Sequence, residues 1–255
     1  MATSLSKIVI LADSLALPRE KDWGDTAYEQ TYPFLVDQAL RQQRGASAPI
    51  VIERGKRSRT IQSVLLEWEE QVLYRRANFV VVHVGVVDCA PRVLKPAEQK
   101  FISRLRFQVL SDAIRAFIHR HRRSLVTWRP SQGYVAPDVF RDSVFKLQQL
   151  AAKDGVKALS FVNILMPTDS LEQRSPGFQS NVRQYNGILT DTVRDPGCQV
   201  IDINALFGPH GGTEALAVDG MHLNPTGHVL LAQELVQRIT VWLSDPQRTI
   251  EGSPI

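Results

Sequence analysis

A doubly wound α/β domain around a five-stranded parallel sheet is the fold class that this 255-residue sequence predicts. Three observations carry the prediction. Five short runs rich in Val and Ile are apolar on both faces, as strands buried inside a parallel sheet are. Helical patterns alternate with them, and such alternation favours parallel strands joined by right-handed crossovers. No internal repeat and no Pro/Gly/Ser-rich linker divides the chain, so it reads as one domain.

In order, the strands are expected at Lys7–Ala12, Pro49–Glu53, Phe79–Gly85, Ala158–Leu165 and Gln199–Ile203. Helical periodicity covers Tyr32–Gln43, Thr60–Arg75 and Gly227–Leu243. The third crossover, residues 91–155, is too long for one helix and has room for two, Glu98–Arg122 and Asp138–Lys153. Asp138, just after Pro137, is placed to cap the second. Between them, Trp128 to Tyr134 carries turn formers and aromatics. An insertion at a strand's carboxyl end lies where open α/β sheets bind ligands. A lid, a substrate wall and a packing or dimerisation pair of helices are all compatible with it.

Composition excludes several classes. With 44% apolar and 22% charged residues the chain has ordinary globular content. A net charge of +4 and a pI near 9.2 bear on solubility and long-range steering, and are too small to imply nucleic acid. Cys89 and Cys198 are the only two cysteines and lie in no metal-like spacing, so neither structural zinc nor a cofactor is expected. The apolar run Lys7 to Leu17 is interrupted by Asp13 and Ser14 and lacks the form of a signal peptide. No stretch approaches the ~20 apolar residues of a membrane span. These features read as a cytoplasmic protein without a membrane partner; self-association is left open.

Chemistry enters at the two ends of the chain. Ser14 follows the first strand directly and so faces the ligand crevice of such a sheet, although a serine there commonly serves as a turn residue. Near the other end stands Asp219-Gly220-Met221-His222-Leu223-Asn224-Pro225-Thr226-Gly227-His228, ahead of an apolar helix. A serine hydroxyl needs a base to take its proton, and that base needs an acceptor to hold its tautomer. Asp219 and His222, three residues apart in a tight loop, place both groups on one side. Met221 and Leu223 then point elsewhere. A lone Asp-x-x-His would be read as a capped turn with a surface histidine.

The residues in combination are more specific. Asp219-Gly220-Met221-His222-Leu223-Asn224 with Gly227-His228 resembles the last signature block of the SGNH/GDSL hydrolase superfamily. The surroundings of Ser14 resemble its first block, and Gly85-Val86-Val87-Asp88 resembles its Gly-x-Asn-Asp block. The segment from Pro167 to Leu189, with Asn181 and Tyr185-Asn186, resembles the usual connection. The resemblance covers nearly the whole chain. It implies a flavodoxin-like α/β/α sandwich, ester chemistry without metal, Ser14 as nucleophile, His222 as base and Asp219 as its orienting partner.

Departures from the pattern concern the oxyanion. The family's first block is usually Gly-Asp-Ser, and here it is Ala12-Asp13-Ser14. The glycine whose backbone N–H helps bind the oxyanion aligns with Ser58, and only that N–H is needed. The asparagine of the third block aligns with Val87, which donates nothing. Losing one oxyanion donor costs about 10²–10³ in turnover. Asp88 is acceptor-only when ionised, which leaves Arg57, Arg59 and Arg92 as candidate donors.

Two basic clusters, Arg54 to Arg59 and His119 to Arg123, would ordinarily be solvated faces. The first lies at a strand's carboxyl end, and guanidinium forks match carboxylate and phosphate oxygens. The expected substrate is therefore an ester of a small polar molecule or glycan, one that is anionic if Arg57 and Arg59 bind it. His83 and Cys89 read as core residues. A binding module that kept the fold and lost the chemistry is the competing reading. A nucleic-acid binder lacks any recognisable motif.

Overall fold

The computed structural model describes residues 5–19, 25–94, 98, 101–102, 108–128, 133–208 and 213–244. Its strands are β1 (Lys7–Ala12), β2 (Ile50–Gly55), β3 (Phe79–His83), β4 (Ala158–Val162) and β5 (Cys198–Ile201). They form one sheet in the order β2-β1-β3-β4-β5, with every neighbouring pair parallel. The helices are α1 (Tyr32–Arg44), α2 (Ile61–Trp68), single-turn α3 (Val86–Cys89), α4 (Gln108–Arg120) and α5 (Arg122–Trp128). They continue with α6 (Pro137–Lys153), α7 (Asp169–Arg174), α8 (Phe178–Thr192), α9 (Ile203–Phe207) and α10 (Pro225–Ser244).

Successive side chains of a strand point to opposite faces, so each central strand feeds two layers. On one face Val9, Leu11, Val80 and Val82 pack with Ile61 and Val64 of α2, Val144 and Leu147 of α6 and Val182 of α8. On the other, Ile8, Ile10, Phe79 and Val81 meet Val36 and Leu40 of α1 and Leu231, Leu235 and Ile239 of α10. Burial on both sides is why these strands read as unbroken apolar runs.

Strand ends shift where a side chain or glycine replaces the ladder. β4 stops at Val162 rather than Leu165, because the Ile164 and Met166 N–H groups donate to Asn186 and Asn204 side chains at 2.8 Å each. β3 ends at His83 because Gly85 takes φ 132°, outside the strand region. β5 stops at Ile201, after which Asp202 caps α9 by accepting from Asn204 and Ala205. β2 runs on to Gly55, paired opposite Ala12.

Helix ends shift for similar reasons. Thr60 is a cap rather than a helical residue: its hydroxyl accepts from the Ser63 N–H at 3.2 Å. Beyond Trp68 the chain makes one π-helical turn, Glu69–Leu73, before Arg76 at φ 54° ends the segment. Asp138 does not cap α6. Ala136 holds that position, Pro137 starts the helix with its preset φ, and Asp138 meets the positive end of the first turn. Of the helix expected over Glu98–Arg122, α4 covers Gln108–Arg120, whereas α5 starts at Arg122 and continues past the expected end to Trp128; residues 95–97, 99–100, 103–107 and 129–132 lie outside the described residues. α8 occupies a segment where sequence patterning set out no helix. Its apolar positions recur at helical spacing, but Gly177 at φ 89° and Gly187 blur the signal. Among the described residues no helix is long and apolar enough to cross a membrane.

Candidate active site

The order of the strands reverses between β1 and β3, so the crevice of the sheet opens at their carboxyl ends. β1 delivers Ser14 there. The Asp13 N–H donates to His83 O at 3.0 Å, and the Asp13 carboxylate accepts from the Leu15 N–H at 2.8 Å. The chain then makes a single 3₁₀ turn, Ser14–Ala16, closed by the Leu17 N–H donating to Ser14 O at 3.3 Å, with Ser14 at its first position.

The loop before α10 arrives from the opposite side. Leu216 and Leu223 form an antiparallel bridge, and the Ala217 N–H donates to His222 O at 2.7 Å. Gly220 takes φ 74°, and a Cβ there would lie 2.3 Å from the Thr168 hydroxyl oxygen. Only glycine allows this approach, which lets the Thr168 N–H donate to Gly220 O at 3.3 Å. Asn224 clamps both sides of the bridge: its amide donates to Glu214 O and Leu216 O, and its oxygen accepts from the Gly227 N–H at 3.0 Å.

Between these two segments runs a continuous chain of hydrogen bonds. Ser14 Oγ lies 3.1 Å from His222 Nε2, and His222 Nδ1 lies 2.5 Å from Asp219 Oδ2. Asp219 Oδ1 accepts from the N–H groups of Met221 and His222 at 3.0 and 2.9 Å. Burial alone would raise the Asp219 carboxyl, but the His222 ring, the two N–H donors and the His222 charge outweigh it and hold the carboxyl down at about 2. Asp219 is therefore ionised and acceptor-only at neutral pH. As an acceptor facing Nδ1 it favours the imidazole tautomer with the proton there, the one in which Nε2 can accept from Ser14. Met221 packs against one hydrophobic layer and Leu223 is buried in the other.

A family model described as GDSL-like lipase/acylhydrolase matches residues 13–230. The chain belongs to that family. As a GDSL-like acylhydrolase it is an ester hydrolase. A lipase/acylhydrolase from Enterococcus faecalis superposes with TM-score 0.63 at 17% identity, over 98% of this chain and 100% of that one. An acetylxylan esterase from Geobacillus stearothermophilus superposes with TM-score 0.56 at 18% identity, over 92% and 94%. An alpha/beta hydrolase from the metagenome of Lake Arreo, Spain, gives 0.62 at 16% identity, over 91% and 94%. At these identities the structural likeness speaks for the fold. No curated protein matches significantly in sequence.

In this GDSL-like enzyme the other residues singled out by sequence fall into two groups. Some lie just past the carboxyl ends of β2 and β3. Ser58 is exposed at φ 59°, a conformation that glycine adopts most readily. Arg57 beside it is exposed. Val87 is 7% exposed and belongs to neither hydrophobic layer. Gly85 needs its φ of 132°, and a Cβ there would lie 2.6 Å from Ile164.

Others make contacts within the fold, and for the buried Arg59 and Asp88 this corrects the expectation that they face substrate. Arg59 is 3% exposed. It donates to Ala12 O at 3.2 Å, to Arg54 O, and to the Glu67 carboxylate at 2.5 Å, tying the loop after β2 to the end of β1. Arg92 lies over the Tyr134 ring, 4.6 Å from its centroid. Asp88 is fully buried and accepts from the Ile61 N–H at 2.9 Å, fixing the start of α2. His83 and Cys89 are core residues. His83 bonds the Tyr32 hydroxyl at 3.1 Å, and burial pushes its pKa down to about 3 and the Cys89 thiol up.

Sequence reasoning missed three features. Tyr32 stacks on His228 and its N–H donates to His228 Nδ1 at 3.1 Å, so the last residue of the signature block serves packing. Burial holds His228 down at about 4, neutral at pH 7. Asp13 and Asp88 are both buried carboxyls, each with Oδ2 unpartnered. The third is Arg19, whose guanidinium approaches Ser14 O at 3.4 Å. Nothing in Leu17-Pro18-Arg19 marks it in sequence; only the hairpin-like bridge between Arg19 and Thr26 brings it back to the crevice.

Burial pushes the Asp13 and Asp88 carboxyls up to about 7, and the charge of Asp13 adds to the rise at Asp88. A carboxyl that is harder to ionise when folded favours the folded state below its unfolded value near 3.8 and loses that contribution as pH rises toward 7. Asp88→Asn keeps an oxygen for the Ile61 N–H and removes the ionisable group. It is expected to flatten the fall in stability between about pH 4 and 7 and to raise the Tm at pH 7.5 by roughly 3–6 °C. Thermal denaturation across pH checks this; a Tm that falls in parallel at every pH would show that the carboxylate itself stabilises the fold.

Proposed function

We propose that this GDSL-like acylhydrolase is a serine-dependent O-acyl ester hydrolase for a small polar or glycan substrate. The observation that carries the reading is the unbroken chain from Ser14 Oγ through His222 to the ionised Asp219. Ser14 Oγ attacks the ester carbonyl carbon while its proton passes to His222 Nε2. The tetrahedral intermediate collapses, the C–O bond to the alcohol breaks, and His222 returns the proton to the leaving oxygen. Water then attacks the acyl-serine, His222 takes its proton, and the acid departs as Ser14 is regenerated. A second alcohol in place of water would make the same site an acyltransferase.

The glycine-like φ of Ser58 supports its N–H as one oxyanion donor. Val87 supplies none, so turnover about 10²–10³ below that of a site with a full set of donors is expected. The carbohydrate preference draws support from the acetylxylan esterase of similar fold, for which catalytic mutants at a serine and an aspartate are among the matched structures.

A fluorophosphonate probe tests the reading directly. Wild type is expected to be labelled, with labelling lost in Ser14→Ala and in His222→Ala. A folded wild type that stays unlabelled would favour the second reading, a binding module, for which the donorless Val87 is the specific observation.

A further inference from the structure

Arg19 is half buried against the backbone of the presumed nucleophile, yet most of its hydrogen-bonding capacity is unspent. Nη2 reaches only Ser14 O, at 3.4 Å, and the buried Nε has no partner. Among the described residues neither Arg19 nor Arg57 forms an ion pair. Among the described residues neither neighbouring carboxyl pairs with Arg19: Asp219 holds His222, and the buried Asp13 holds the Leu15 N–H through Oδ1. Burial disfavours the Arg19 charge and the neighbouring Arg57 charge disfavours it further, while Asp219 and Asp13 favour it. The Lys56 N–H donates to Ala12 O at 3.0 Å, which sets the exposed Arg57 on the loop beside the chain that enters Ser14, and an anion bound between the two guanidiniums would offset their like charge. Arg59, the other arginine of that loop, is already committed to Glu67 and two carbonyl oxygens and takes no part.

We propose that Arg19 and Arg57 form a two-guanidinium subsite beside Ser14 that selects esters bearing an oxyanion, carboxylate or phosphate, close to the scissile bond. The proposal rests on the reading of Ser14 as nucleophile. A planar guanidinium fork matches either oxyanion with paired hydrogen bonds. In a partly desolvated crevice such contacts exceed the worth of an exposed ion pair.

The test compares three acetate esters: phenyl acetate, 4-acetoxybenzoate and 4-acetoxyphenyl phosphate. The wild type is expected to favour at least one charged ester over phenyl acetate, and which one separates carboxylate from phosphate recognition. Arg19→Gln and Arg57→Gln are each expected to lower kcat/KM for the favoured charged ester about 10- to 100-fold, mainly through KM, and to lower the neutral rate at least tenfold less. Arg141→Gln, an exposed arginine on α6, makes the same change in net charge and is expected to move none of the rates. Parallel losses on all three esters, or no charged-ester preference in the wild type, overturn the subsite.

A second measurement is independent of turnover. Binding of 4-hydroxybenzoate and of 4-hydroxyphenyl phosphate to Ser14→Ala, followed by calorimetry, is expected to weaken about tenfold on adding Arg19→Gln. Binding indifferent to Arg19 overturns the subsite whatever the rates. Arg19-dependent binding in a protein that hydrolyses none of the esters sustains the subsite and sinks the nucleophile reading instead.

Discussion

Replacing Ser14 or His222 by alanine is expected to lower kcat for an activated ester by about 10⁵–10⁶, with the double replacement no worse than either alone. The reason lies in the geometry. In the proposed reaction Ser14 Oγ and His222 Nε2, 3.1 Å apart, exchange one proton, so removing either end removes the same event. Asp219→Asn should cost less, about 10⁴, because binding and oxyanion contacts remain while the amide can turn an N–H toward Nδ1 and select the wrong imidazole tautomer. Asp219 also receives the N–H groups of Met221 and His222, so Asn preserves the loop better than Ala. Steady-state kinetics on the three single and one double variant, with melting curves to show folding, make the measurement. Losses that multiply in the double variant would mean that serine and histidine act independently, and the relay would have to be abandoned.

Gly220→Ala is expected to damage both stability and turnover although residue 220 has no side chain in the chemistry. A non-glycine residue at φ 74° costs roughly 1–2 kcal/mol from backbone sterics alone. The new Cβ would also sit 2.3 Å from the Thr168 hydroxyl, so the loop or the start of α7 must move. Gly220 lies between Asp219 and His222, and a displacement of about 1 Å in reacting groups can cost 10² in rate. We expect a Tm lower by about 4–8 °C and kcat lower by about 10². Adding Thr168→Ala relieves the clash and leaves the backbone strain, so it should restore kcat more than Tm. A Gly220→Ala variant with wild-type kcat would show that the loop does not aim His222.

Much of the fold was legible because burial on both faces writes itself into β1, β3 and β4 as continuous apolar runs. Strand ends were less legible, since the side chains of Asn186 and Asn204 end β4 from more than twenty residues away in sequence, through contacts that no local pattern encodes. α8 was hidden for a different reason: Asn181 and Asn186, which bond Cys89 O and the Ile164 backbone, and Gly187 weaken its helical period. At the site, local chemistry was the readable part. Asp219 and His222 lie within one turn of chain, so their spacing allows the pairing that the resemblance of their signature block implies.

The arginines divide along the same line. Arg57 and Arg59 are two residues apart and indistinguishable by composition, yet one is exposed at the crevice and the other is 3% exposed and spent on Ala12, Arg54 and Glu67. Arg19 carried no signal at all. By itself, then, the sequence determined the α/β class, the family and the side chains able to form the relay, because period, turn residues and local spacing are properties of neighbouring positions. Only the tertiary structure decided that Ser14 and His222, 208 positions apart, share a hydrogen bond, and which arginines keep donors free. Those outcomes depend on how distant segments close over one another, and a guanidinium's role is set by the partners that packing leaves within its reach.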